Sequence, residues 1–199
     1  MGQRMVITTI LVLLAVVPIG MAAPHPPGIA ELFQQLQVPT TTNQAAQQLL
    51  ELGRQNTEVR EFLAGHLPGL VAKGPVDPAD PWLNEVHLVG ELKIGEAAPA
   101  LEKWIGLDSG GTITLTMLAN LENKPVGKAL AEIGDPALPT LIRALQHPSV
   151  DDREVATKAL RLIGSSGAKE ALQSQLTRET DPRLRNYIKK ILDQWKPIA

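Results

Sequence analysis

No cysteine occurs in the 199 residues, which excludes disulfides, thiolate metal sites and a cysteine nucleophile. Aromatic residues make up only 3% of the chain. Val, Ile and Thr rarely alternate with polar residues, so little here could form a half-buried strand, while abundant Leu and Ala favour helix. Neither sign of charge dominates: 19 basic residues face 21 acidic ones, a formal net of -2. Neutralising a run of phosphates needs a surplus of basic residues, so no nucleic-acid partner is expected. One all-α folded unit is the expectation.

A long apolar run occurs in one place. Residues 1–23, MGQRMVITTILVLLAVVPIGMAA, carry a positive charge at Arg4, an apolar stretch from Met5 to Val17, then Pro18 and small residues. This is the layout of a secretory signal peptide, and Gly20-Met21-Ala22 fits the small-x-small cleavage site. The reading assigns residues 1–22 to a signal peptide cut near Ala22 and gives an exported protein, periplasmic or extracellular. The 19 residues from Met5 to Ala23 also reach the length of a spanning anchor. Pro18 and Gly20 argue for cleavage instead, so no membrane association is expected beyond this segment. An exported chain of this size without disulfides suggests a bacterial source.

The spacer PHPPG, ending at Gly28, cannot be helical, and the folded domain is assigned to residues 29–199. Its first run places Ile29, Leu32, Phe33 and Leu36 on one helical face. Apolar helical runs then end in Gly53, Gly95, Gly134 and Gly164, the last three in the endings LKIG, AEIG and RLIG. Glycine suits the left-handed position just past a helix end. A second amphipathic run starts directly after each of these three: EAAPALEKWI, DPALPTLIRAL with Leu138, Leu141, Ile142 and Leu145 as its stripe, and SSGAKEALQSQL with Ala168, Ala171, Leu172 and Leu176. Asp135 and Pro136 are expected to cap and open the helix after Gly134. The first helices begin NTEVREFL, DPWLNEV, DDREVATKAL and DPRLRNYIKKIL, where Asp or Asn supplies a cap and Pro has no amide to lose. Each glycine is thus expected to join two helices folded back on one another. The spacings between the four glycines, 42, 39 and 30 residues, fall in the range of helical repeats.

The pattern D-P-x-(V/L)-R, apolar helix, I-G-(D/E)-x-A-x-P-x-L resembles HEAT repeats, especially the short type in HEAT-like proteins related to phycobilisome lyases. The resemblance is best over residues 123–195, good over 80–106 and weak over 29–73. It implies a right-handed α-solenoid of about five hairpins, each burying its stripe against its neighbours, with the second helices lining the concave face. Aligning Leu101, Leu141 and Leu172 makes Lys103, Arg143 and Ser174 the outward positions of those helices. The implied partner is another protein or peptide. Some HEAT-repeat proteins are metal hydroxylases with paired His-Glu dipeptides; none occurs here, so no ligands carry over.

Site chemistry is sparse. His25, His66, His87 and His147 share no metal-binding spacing; His87 is expected in the core or an interface, and His147 near the carbonyls at its helix end. LDSGGT at 107–112 fits neither a nucleophilic serine motif nor a phosphate loop and reads as a connection. Glu91, Glu96 and Glu102 read as solvated surface. Trp104 is expected in the core, whereas Trp82 follows a Pro-rich turn where partial exposure would make it a binding anchor. The candidate partner-binding residues are therefore Trp82, Lys103, Arg143 and Ser174. No catalytic residue, metal ligand or cofactor site is assigned. The rival reading is a small exported enzyme, or an accessory subunit of one, with a metal site assembled from the dispersed histidines.

Overall fold

The structure is a computed structural model, and it describes residues 28–76, 81–109 and 121–195. The expected signal segment, most of the Pro-rich spacer including His25, Asp80, and Gly110 to Thr112 of the Gly-rich connection lie outside these residues. The described residues hold ten α-helices and no strand. They are α1 (Ile29–Leu36), α2 (Thr42–Gln55), α3 (Thr57–Val71), α4 (Trp82–Glu91), α5 (Ala98–Leu101), α6 (Pro125–Ile133), α7 (Leu138–Ala144), α8 (Val150–Ile163), α9 (Ser166–Arg178) and α10 (Pro182–Asp193). None of the described helices is long and apolar enough to cross a membrane.

The helices pack in two rows. In one row α2 touches α4, α4 touches α6, α6 touches α8 and α8 touches α10; in the other α3 meets α5, α5 meets the 3-10 turn that opens α7, and α7 meets α9. Along the chain the rows alternate, α2 then α3 through α8 then α9, which gives four successive pairs among the described residues, with α1 before them and α10 after. Here α2 packs on α3 and α8 on α9, whereas α5 packs on α6 and α7 on α8 of the next pair. A single apolar core runs between the rows, from Leu49 and Leu63 through Leu88, Leu101, Leu130 and Leu141 to Leu160, Leu172 and Ile188, all fully enclosed. Glycine lets the first row approach closely: a Cβ on Gly90 of α4 would sit 2.9 Å from the Ala129 Cα of α6.

Caps explain the helix starts. Asn56 accepts from the amides of Glu58 and Val59, and Asp181 accepts from that of Leu184 at 2.9 Å, as the sequence suggests. Before α8 the cap is Ser149, which accepts from the Asp152 amide, so this helix starts ahead of the expected Asp151.

The stops differ more. Gly164 alone among the four expected glycines takes the left-handed conformation (φ 68°, ψ 5°). Gly134 has φ 83° but ψ -143°, an extended mirror-image region open only to glycine. Asp135 does not cap; it opens a 3-10 turn with Pro136 and Ala137 ahead of α7. After α4 the left-handed residue is Lys93, at φ 54°. The Ile94 amide reaches back to the Val89 carbonyl there, and the helix ends at Glu91, four residues before Gly95. Gly53 is no stop at all: it is buried within α2, and the chain reverses at Asn56.

Candidate functional site

The second helices present an outer ridge. Lys103 follows α5, Arg143 lies on α7 and Ser174 on α9, and all three are exposed, as their alignment predicts. Lys103 Nζ sits 4.7 Å from the centroid of the Trp104 ring. Beside it is an open groove of about 590 Å³ walled by Ala72, Pro99, Ala100, Glu102, Lys103 and His147. Ile142 is 45% exposed next to Arg143, so it does not share the buried stripe of Leu141 and Leu145. The short α7 can turn only a narrow face to the core, and Thr140, Leu141 and Ala144 fill it, with Leu138 partly buried at its edge.

Trp82 is corrected. It is 1% exposed, its indole nitrogen donates to the Val71 carbonyl at 3.0 Å, and its ring meets Trp104 edge-on. A side chain so enclosed cannot anchor a partner: as the first residue of α4 it lies against the end of α3. Trp104 is only partly buried, although it packs against the core. Its stripe neighbours Ala97, Leu101 and Ile105 are fully buried.

Beneath the ridge, polar side chains tie the pairs together. Arg143 donates to the Glu102 carboxylate at 2.7 Å and to the Thr140 hydroxyl at 3.2 Å. The His147 ring lies between two carboxylates, with Nδ1 3.2 Å from Asp152 and Nε2 3.8 Å from Glu102. It does not reach helix-end carbonyls; its position after α7 turns it toward α8 instead. Gln146 of the third pair donates to Gln175 of the fourth, and Gln175 donates to Glu179.

Glu179 is the centre of this network. It is 1% exposed, accepts two hydrogen bonds from Arg153 at 2.7 and 3.0 Å, and also accepts from the Thr180 and Asp181 amides. The Arg153 guanidinium, and behind it the Asp181 amide and Gln175, hold its carboxyl down at about 2 against the opposing effect of burial. Burying both charges is tolerable because every carboxylate lone pair has a donor. This network is not visible in the sequence, where Arg153 and Glu179 lie in separate helical runs. The one local signal is the i, i+4 spacing of Gln175 and Glu179.

The other carboxylates divide. Glu91 is paired with Arg54 of α2 at 2.6 Å and Glu102 with Arg143, so neither is simply solvated, whereas Glu96 is exposed. Burial raises the Glu132 carboxyl above its ordinary range, against the opposing pull of Lys128.

The described histidines stay apart. His66 stacks on Phe62 of α3, and His87 is exposed on α4 rather than in the core, because it falls on the face opposite Val86 and Val89. Among the described residues no three His, Asp or Glu side chains group so as to hold a metal ion.

Residues 125–189 match the family described as HEAT repeats, a span from the start of α6 into α10. This supports a HEAT-repeat domain in that part of the chain. No curated protein matches the chain.

Proposed function

We propose that this chain is an exported HEAT-repeat scaffold that binds another protein or peptide and has no catalytic activity of its own. The observation that carries the reading is the pairing of helices in two rows, which leaves the second helices of successive pairs side by side. HEAT repeats commonly serve as protein-interaction scaffolds, and stacked repeats offer an extended surface rather than a closed pocket. We take the rows as a right-handed solenoid, with the ridge of Lys103, Arg143 and Ser174 on its binding side and exposed Ile142 as the apolar anchor. The network under the ridge holds these positions in fixed register, which lowers the entropy lost on binding.

The test is co-purification from the envelope of the organism that makes the protein, comparing wild type with Lys103→Glu/Ser174→Glu. Both sites are exposed, so the variant should melt with the wild type. A protein retained by wild type and lost from the variant is the expected result. Identical sets of co-purifying proteins would remove the ridge from the account.

A further inference from the structure

A second surface stands out at α10. Its apolar side, Leu184, Ile188 and Ile191, is buried against the core. The opposite side shows Arg183, Arg185, Lys189 and Lys190 to solvent. Arg183 comes no closer than 4.0 Å to the Asp181 carboxylate, with its side chain 87% exposed. The other three have no ion-pair partner among the described residues.

The charge is concentrated as well as unpaired. The helix carries these four cations against one carboxylate, Asp193, a surplus of three, so in a chain of net -2 all other residues together carry five negative charges in excess. Next to the cations lies a groove of about 640 Å³, walled by Arg161, Tyr187, Lys190, Ile191, Trp195 and the one carboxylate of the helix, Asp193, with Arg161 over the Trp195 ring at 5.3 Å. Basic and aromatic groups thus meet on one outward face.

We propose that this face of α10 docks an acidic, partly apolar peptide segment of a partner protein, its carboxylates meeting Arg183, Arg185, Lys189 and Lys190 and an apolar residue entering the groove beside Trp195. This rests on the reading of the chain as a protein-binding scaffold. Charge complementarity selects the partner. A duplex nucleic acid or an anionic membrane extends far beyond one helix and would be carried over the acidic remainder of the molecule. The membrane fits less well again, because the apolar side of α10 is already committed to the core and has nothing to insert.

The test uses the full chain and a fluorescein-labelled peptide of Glu-Glu-Leu repeats, with a Lys-Lys-Leu counterpart, read by fluorescence anisotropy. Wild type is expected to bind the acidic peptide and not the basic one. Arg183→Gln/Arg185→Gln/Lys189→Gln/Lys190→Gln should weaken binding by about tenfold or more, and raising salt from about 0.05 M to about 0.3 M should weaken wild type more than the variant. If the fourfold variant does not fold, Arg185→Gln/Lys189→Gln, two exposed sites one turn apart, must still show weaker binding. Equal affinity of wild type and variant, or no binding of the acidic peptide, overturns the proposal. So does tighter binding to phosphatidylserine vesicles or to a DNA duplex that is lost in the variant, since it assigns the face to a membrane or to nucleic acid. Failure here leaves the scaffold reading standing, because the Lys103→Glu/Ser174→Glu comparison does not touch α10.

Discussion

Removing the indole of Trp82 empties the largest of the fully buried side-chain volumes and leaves the Val71 carbonyl with only the longer bond, 3.3 Å, from the Gly74 amide. Trp82→Ala should therefore cost about 3 to 5 kcal/mol in denaturant unfolding; a loss within 0.5 kcal/mol or so, ordinary for a surface site, would contradict its place in the core. Glu179 gives a second residue-scale prediction. Its carboxyl sits near 2 in the folded protein against an ordinary 4.5, so the folded state favours the ionised form. The stabilisation is complete above about pH 4.5 and is lost as pH falls toward about 2. The stability gap between wild type and Glu179→Gln should be widest near neutrality and should narrow through that window in acid unfolding curves. A gap that stays constant with pH would show that the charge of Glu179 contributes nothing.

At the scale of the element, caps and stripes make separable claims. Asp181→Ala should cost about 1 kcal/mol through the lost bond to the Leu184 amide, read as a fall in the denaturant midpoint. Leu141 and Ile142 are neighbours in sequence with opposite surroundings. Leu141→Ala should cost about 2 to 5 kcal/mol and Ile142→Ala well under 1 kcal/mol; equal costs would contradict the orientation of α7. This pair also shows what the sequence carries. The i, i+3, i+4, i+7 rule marks α7 as helical and Leu141 as core, but the helix is seven residues long, too short for its full stripe to face inward. Caps made by Asn56 and Asp181 are legible because they depend on residues within one turn. The left-handed position at Lys93 is not, because Gly95 nearby is the better candidate on propensity and the backbone contact from Ile94 to Val89 decides otherwise. Trp82 is misjudged for a different reason: its burial is set by the end of α3 and by the Trp104 ring, which the periodicity of α4 alone does not show.

For the whole molecule, the repeat pattern was legible because each pair restates the same helix-turn-helix signals, and the outward placing of Lys103, Arg143 and Ser174 follows from aligning them. The network of Glu102, His147, Asp152, Arg153, Gln175 and Glu179 was not, since it joins three pairs through contacts that no single repeat encodes. That network ties the turn after α5 to the ends of α7 and α9, and the proposed binding surface depends on it. Site-specific photo-cross-linking tests that account most directly: a photoreactive residue replaces Ser174 on the ridge and, in a second protein, the exposed Leu162 of α8 in the other row, and both are illuminated in the native envelope. The account predicts a discrete cross-linked species from position 174, absent from position 162 and lost when Lys103→Glu is added. No species from position 174, or the same species from both positions, would contradict a binding surface on the second helices.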